Sequence, residues 1–180
     1  KQEVGGREFW LGHLYGQDVV AVLSGIGKVA AATTATLLIE RFGVNRIVFT
    51  GVAGGLGPGV KVGDVVLARS FLQHDMDASP LFPRHEVPGY RRSVFEADAG
   101  LADALELASD RMLHSLPRRL DTSTVEAFNL NSPKLHQGLL ISGDRFVAAT
   151  AESIEQEFTN ERLHALVDNG GWDPAKESMQ

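Results

Sequence analysis

The feature that most constrains the fold is a stretch, residues 18–71, in which apolar runs alternate with glycine-rich turns. One apolar run ends at the turn Ser24-Gly25-Ile26-Gly27, and a second run, at 46–50, ends at the glycine-rich segment 51–63. A helix-forming segment separates the two runs. This order predicts an α/β fold with glycine loops at strand ends, where such folds bind their ligands.

Local patterns predict the other elements. We expect a hairpin of strands at 8–14 and 19–23, helices at 28–41, 97–112 and 151–167, strands at 46–50, 64–71 and 138–142, and an irregular proline-rich loop at 73–90. The strand at 46–50 is expected to be buried and parallel to the first, with the helix between them as a right-handed crossover. Residues 168–180 are polar and are expected to fray.

Composition excludes several classes of function. A chain of 180 residues predicts one domain, 1–180, and the net charge of -6 without a basic stripe weighs against nucleic-acid binding. The absence of cysteine excludes disulfides and thiolate chemistry. No apolar run is long enough to cross a membrane and no signal peptide opens the chain, so we expect a cytoplasmic protein without a membrane partner.

The first glycine turn has two readings as a nucleotide site. The segment from Gly25 to Ala30 fits the G-x-G-x-x-A fingerprint for dinucleotides. However, the next predicted strand ends in Thr50-Gly51-Val52, without the carboxylate that would hold a ribose, and a Walker loop would need Ser or Thr at Val29. These departures weigh against NAD and against ATP.

A metal site is the second alternative. Its candidate ligands are the histidines and aspartates His74, Asp75, Asp77, His85 and His114, with the segment 74–77 the best of them. A metal needs three or four converging ligands, and the sequence offers no further partnered cluster. Structural roles for these residues are favoured, and no metal is predicted.

A third glycine turn follows the predicted strand at 138–142. It places Phe146 just past Gly143, where the ring can stack on a planar ligand. The alternative is that Phe146 belongs to the core and that Asp144 caps a turn. The residues alone leave these two readings equally open.

Taken together, the motifs follow one another in an order and spacing that resemble a known family. They are Ser24 to Ala31 (SGIGKVAA), Thr50 to Leu56 (TGVAGGL), Lys61 to Val66 (KVGDVV), Gln73 to Asp77 (QHDMD) and Ser142 to Phe146 (SGDRF). The chain resembles the 5'-methylthioadenosine/S-adenosylhomocysteine nucleosidases of the nucleoside phosphorylase/hydrolase superfamily. The resemblance implies a three-layer αβα sandwich around a central mixed sheet, a homodimer, and cofactor-free hydrolysis that releases adenine.

The resemblance also implies a set of substrate-binding residues, which are Ile26, Val52, Ala53, Gly54, Phe146 and Val147. Ile26 would border the thio substituent or the attacking water, Phe146 would stack on adenine, and Val147 would present backbone polar groups to the edge of the base. Residues 78–88 would close the partner subunit's pocket for the 5'-substituent through Ala78, Leu81, Phe82 and Pro88. Val52 departs from the serine often found in the family, which removes one hydroxyl contact.

The sequence departs from the family at its catalytic carboxylates. The family's water-activating Glu follows a strand that would lie upstream of Lys1, and its Met-Glu pair and Ser-Asp acid lie on strands after the helix at 151–167. None of these motifs is found, so we expect a fold that is incomplete at both ends, and the catalytic residues remain unassigned. The acidic residues nearest to Phe146 in sequence are Glu152, Glu155 and Glu157, and solvated helix positions are the favoured reading for them.

Three functional hypotheses follow from the resemblance. The first is a nucleosidase for methylthioadenosine and adenosylhomocysteine in methionine salvage and the methyl cycle. The second is a catalytically impaired module of the same fold, for nucleoside binding or dimerisation. The third, phosphorolysis, needs a cation for phosphate near Gly27 or Gly51, and Lys28 on the predicted helix is a weak candidate.

Overall fold

The computed structural model describes residues 1–144 except Pro58 and Asn129. The chain divides into two compact units, Lys1–Ala53 and Gly54–Gln180. The expectations for the helix at 151–167 and the tail at 168–180 lie outside the described residues, and the expectation of a single domain stays a prediction.

The first unit is built on an antiparallel sheet. Its strands are β1 (Gln2–Val4), β2 (Arg7–Leu14) and β3 (Gln17–Val22), in the order β1-β2-β3. Two-residue turns connect them, and Gly5, Gly6, Tyr15 and Gly16 all have positive φ, which suits the right-handed twist of a hairpin. The predicted hairpin is confirmed, and β1 extends it by a strand.

Helix α1 (Lys28–Phe42) follows the first glycine turn, and the helix prediction is confirmed. Gly43 ends the helix in the left-handed conformation, with φ of 65°, and donates to the Ile39 carbonyl at 3.1 Å. Phe42 stacks on Phe9 of β2 with ring centroids 4.5 Å apart, and Phe9 is fully buried. This contact holds the helix against the sheet.

The prediction of a buried parallel strand at 46–50 is wrong. Residues 46–50 form no ladder with any described residue, and Ile47, Val48 and Phe49 are all exposed. β-branched side chains favour a strand only where a neighbouring strand supplies hydrogen bonds and a packed face. Apolar composition alone therefore misassigned this segment.

The second unit contains a mixed sheet. Its strands are β4 (Val65–Gln73), β5 (Val94–Glu96) and β6 (Leu135–Ser142), in the order β5-β4-β6. Strand β5 runs antiparallel to β4, whereas β6 runs parallel to it. The predictions of strands at 64–71 and 138–142 and of an α/β fold are confirmed.

Two helices complete the second unit. They are α2 (Ala99–Ser115), which packs on β4 and β6, and α3 (Thr122–Ala127), with a short 3₁₀ turn at Leu116–Arg118 between them. Asp98 and Asp121 cap α2 and α3 by accepting from the Leu101 and Thr124 amides. The apolar core comprises Leu72, Val94, Ala102, Leu113, Val125 and Leu130. No helix in the described part of the chain is long and apolar enough to cross a membrane.

Arg69 fixes α2 to the sheet. It lies at a register shift in the β4–β6 ladder and donates to Asp103 and Glu106 of α2 at 2.7 and 2.6 Å. It also donates to Gln137 of β6 at 2.6 Å, and Gln137 in turn donates to Glu106 at 2.7 Å. The four side chains form a closed polar network across three elements.

Candidate functional site

The first glycine turn is anchored to the helix that follows it. Gly25 and Gly27 have φ of 83° and 95°, a region that favours glycine. The Thr34 hydroxyl lies 2.8 Å from the Ala30 carbonyl and 3.3 Å from the Ser24 carbonyl, so that it ties the turn to α1. Ile26 at the tip is 99% exposed, which leaves an apolar side chain available to a ligand.

The second glycine segment contains three further residues that are predicted to bind substrate, Val52, Ala53 and Gly54. Val52 is fully exposed, and Ala53 and Gly54 are also exposed. The boundary between the two units falls between Ala53 and Gly54. That Ile26, Val52, Ala53 and Gly54 converge on one ligand stays a prediction.

The carboxyl ends of β4 and β6 bring two of the sequence motifs together. Gln73 lies opposite Ser142 at the last position of the parallel ladder, and the His74 amide donates to the Ser142 carbonyl at 3.0 Å. The Asp144 amide then donates to Asp75 Oδ2 at 2.6 Å. Residues 73–75 and 142–144, which are far apart in the sequence, therefore meet at the sheet edge where α/β folds bind ligands.

Gly143 is required by this junction. A Cβ built on Gly143 would overlap the His74 ring and would come within 3.0 Å of Asp75 Oδ2. Glycine at this position lets the β6 turn approach the segment after β4 closely. The sequence indicated each motif, but no pattern in it indicated the contact between them.

The loop that follows contains the residues predicted for the partner subunit's pocket. The Ala78 carbonyl accepts from the Leu81 and Phe82 amides at 3.1 and 3.2 Å, so that this part of the loop forms a compact turn. Leu81 is 84% exposed, Phe82 and Pro88 are also exposed, and Ala78 is half-buried. Their role against a second subunit stays a prediction.

His85 is the buried histidine of this loop. It is 7% exposed with φ of 70°, and neither ring nitrogen has a hydrogen bond of regular geometry in the described structure. Burial lowers the pKa of His85, and the charge of Arg84 lowers it further. The ring is therefore a neutral packing group near pH 7.

Asp64 organises the opposite end of the β4–β6 pair. Its carboxylate is buried and accepts from the Lys61 and Lys134 amides at 3.0 and 2.8 Å, and from His136 at 2.8 Å. These bonds, led by the one from Lys134, lower the pKa of Asp64 to about 2. Because Asp64 lies at the amino ends of both strands, its role is to join them rather than to contact a ligand.

The described carboxylates near the ligand edge are engaged in local hydrogen bonds. Asp75 accepts from the Asp144 amide, and Asp77 accepts from the Ser79 amide at 3.0 Å. The Ser79 hydroxyl and amide lower the pKa of Asp77. Within residues 1–144, no three histidine or acidic side chains are grouped as metal ligands would be.

Several predicted residues lie outside the described part of the chain. They are Phe146 and Val147 of the base-binding prediction, and the acidic residues Glu152, Glu155 and Glu157. The two readings of Phe146, as a stacking ring or as part of the core, both remain predictions. The Asp144 amide joins the end of β6 to Asp75, and the alternative that the Asp144 side chain caps a turn stays a prediction.

Comparison with known proteins supports the resemblance. The sequence profile of the phosphorylase superfamily matches residues 1–168. A 5'-methylthioadenosine/S-adenosylhomocysteine nucleosidase of Oceanobacillus iheyensis is 44% identical over 61% of this chain and 47% of its own length. One from an Exiguobacterium species is 36% identical over 81% of this chain and 54% of its own length. The chain thus spans about half the length of these curated relatives.

A solved structure shows the same fold. The 5'-methylthioadenosine/S-adenosylhomocysteine nucleosidase of Neisseria meningitidis, crystallised with methylthio-immucillin-A, is 32% identical with a TM-score of 0.69. The match covers 87% of this chain and 61% of that one. The chain therefore belongs to the phosphorylase superfamily, and its resemblance to the 5'-methylthioadenosine/S-adenosylhomocysteine nucleosidases is confirmed.

Proposed function

We propose that this protein hydrolyses the N-glycosidic bond of 5'-methylthioadenosine and S-adenosylhomocysteine and releases adenine. The observation that carries the proposal is its similarity, at up to 44% identity, to nucleosidases named for these two substrates. The junction of residues 73–77 with residues 142–144 supports it, because this junction places two family motifs at one ligand edge.

The proposed binding mode divides the substrate among the predicted residues. Ile26 and Val52 offer exposed apolar surface for the thio substituent and the ribose. Phe146 stacks on the adenine ring, and Val147 presents backbone polar groups to the edge of the base. No cofactor or metal takes part in this reaction.

The chemistry needs two acid–base groups. Bond cleavage develops oxocarbenium character on the ribose, so an acid must protonate the purine at N7 and a carboxylate must orient or deprotonate water. None of the described carboxylates is assigned to these steps; at the ligand edge, one oxygen each of Asp75 and Asp77 accepts from a backbone amide. The catalytic residues remain unassigned in this proposal.

The same proposal covers the oligomeric state of the protein, its location in the cell and the metabolism it serves. We infer a cytoplasmic homodimer in which Leu81 and Phe82 of one subunit close the 5'-substituent pocket of the other. Both side chains are exposed apolar groups on a loop, as an intersubunit contact would require. Methionine salvage and the methyl cycle are the processes in which this reaction would take part.

Adenine release tests the reaction. The 180-residue chain is incubated with methylthioadenosine or adenosylhomocysteine in phosphate-free buffer, and free adenine is measured by chromatography. We expect adenine as the purine product, released without a requirement for phosphate.

The same assay separates the alternatives. Substrate binding without adenine release favours the catalytically impaired binding module. Release that requires added phosphate favours phosphorolysis and a role for Lys28. Neither binding nor release, in either buffer, contradicts the proposed function.

A further inference from the structure

We propose that His85 makes the loop of residues 76–92 sensitive to acid, because the loop encloses a neutral His85 ring and opens locally when the ring takes up a proton. The inference goes beyond the proposed function, since the response of the loop to pH can be measured without a substrate. It gives a role to a buried histidine that neither the predicted binding residues nor the proposed reaction uses.

Loop 76–92 is held together by backbone hydrogen bonds on both sides of the His85 side chain. The His85 amide donates to the Met76 carbonyl at 2.9 Å, which closes the first part of the loop. The Val87 amide donates to the Arg92 carbonyl at 3.0 Å, and the Tyr90 amide donates to the Val87 carbonyl at 3.0 Å. These two bonds close the second part of the loop.

The His85 ring is enclosed without the acceptors that its charged form would need. His85 is 7% exposed, and neither Nδ1 nor Nε2 has a hydrogen bond of regular geometry to any residue that the structure describes. Both nitrogens of an imidazolium are donors, so the charged ring requires two acceptors. Burying a charge without such partners costs far more free energy than burying the neutral ring. Enclosure of the ring and its protonation therefore oppose each other.

The charged and titratable groups that act on the ring come from the loop and from the end of β4. Arg84 and His74 disfavour a proton on the ring, whereas Asp77 and the Gln73 carbonyl favour one. Burial has the largest effect, and the pKa of His85 is lowered from its ordinary value of 6.5. The closed loop therefore selects the neutral ring at pH 7.

The backbone at His85 adds to the tendency of the loop to open. His85 has a φ of 70°, in the left-handed region that residues other than glycine seldom occupy. Such a conformation persists only where the surrounding contacts hold it, and a proton on the ring weakens those contacts. Leu81 and Phe82 lie in the same loop, so opening would also displace the side chains proposed for the partner subunit's pocket. This last consequence alone rests on the proposed function.

Hydrogen exchange of the full 180-residue chain without ligand tests the inference. Protection factors, corrected for the intrinsic pH dependence of exchange, are compared at pH 7.5 and pH 5.5 for the amides of residues 85 and 87 and for those of α2. His85→Leu removes the titrating group but keeps a side chain of similar size. His114→Leu is the matched control, because His114 lies exposed on α2.

We expect the protection of the two loop amides to fall about ten-fold from pH 7.5 to pH 5.5, because a histidine in the open loop takes up a proton near pH 6.5 and the enclosed ring does not. The α2 amides should not share this fall, since the opening is local. His85→Leu should abolish the fall, and His114→Leu should retain it. His74 is present in both variants, so its own titration cannot account for a difference between them.

The inference fails if the protection of the loop amides is the same at both pH values, or if it falls equally in His85→Leu and in the unaltered protein. If His85→Leu does not fold, an NMR titration of the His85 ring in the unaltered protein decides. A ring pKa at or above the ordinary value for histidine would then contradict the inference. None of these results bears on the proposed function, which the release of adenine tests separately.

Discussion

Asp64 shows how a single buried carboxylate can join two strands. It accepts from the amides of Lys61 and Lys134 and from the ring of His136, which connects the segment before β4 to the segment before β6. The Lys61–Val66 motif was recognised in the sequence as a family signature. The contacts show the physical role of this motif, because Asp64 within it joins the amino ends of the parallel strands β4 and β6.

The lowered pKa of Asp64 predicts acid sensitivity. Its pKa falls from 3.8 to about 2 on folding, so its contribution to stability is fully present above pH 4 and is lost as the pH falls through 2. We expect Asp64→Asn to lower the free energy of unfolding at pH 7 by about 1–2 kcal/mol. The measurement is urea unfolding of both proteins from pH 7 to pH 2.

The difference between the two proteins in this experiment should shrink as the pH falls from 4 to 2, because the Asp64 carboxyl is then protonated in the unfolded chain while it is still charged in the folded one. Glu126→Gln is the control, since Glu126 lies exposed on α3 in the same unit, and it should leave the unfolding free energy unchanged within error. A constant difference between Asp64→Asn and the unaltered protein down to pH 2 would contradict the assignment.

At the scale of elements, the sequence predicted those helices and strands whose residues show a clear local pattern. The sequence predicted, to within a few residues, the bounds of six elements: the hairpin strands β2 and β3, the helices α1 and α2, and the strands β4 and β6. Strands β1 and β5 and helix α3 were missed, although Gly5-Gly6 is a hairpin-turn signal and Asp121 is a good helix cap. The prediction of a strand at 46–50 was wrong because a strand depends on neighbouring strands, which local composition does not specify.

The Arg69 network predicts how α2 is held to the sheet. Arg69 places three guanidinium nitrogens on Asp103, Glu106 and Gln137, a geometry that a lysine ammonium cannot reproduce. We expect Arg69→Lys to lower the free energy of unfolding by about 1 kcal/mol or more, because three polar partners lose part of their bonding. Chemical denaturation checks this value.

Arg119→Lys is the matched control for this change, since Arg119 is an exposed arginine in the same unit. It should leave the denaturation midpoint unchanged. Hydrogen exchange of the α2 amides gives a second readout, and it should rise in Arg69→Lys alone. Equal stability of the two variants would show that the network does not hold the helix.

At the scale of the whole molecule, the fold class and the family were predictable, but the assembly of the site was not. Glycine turns in a recognisable order were sufficient to identify the superfamily, because close backbone approach to a ligand demands glycine. The convergence of Asp75 and Asp144 depends on the register of β4 and β6, which the sequence does not encode locally. Phe146 and Val147 lie beyond the described residues, so their place beside a ligand rests on the resemblance.

The central claim is that this chain binds a 5'-thio purine nucleoside through adenine, and calorimetric titration with methylthioadenosine tests it most directly. We predict saturable binding that free adenine displaces. Phe146→Ala should weaken it about ten-fold, as loss of one base-stacking ring would. Phe128→Ala, which removes an exposed ring after α3, should leave it unchanged. No saturable binding, or equal binding by the two phenylalanine variants, would contradict the account.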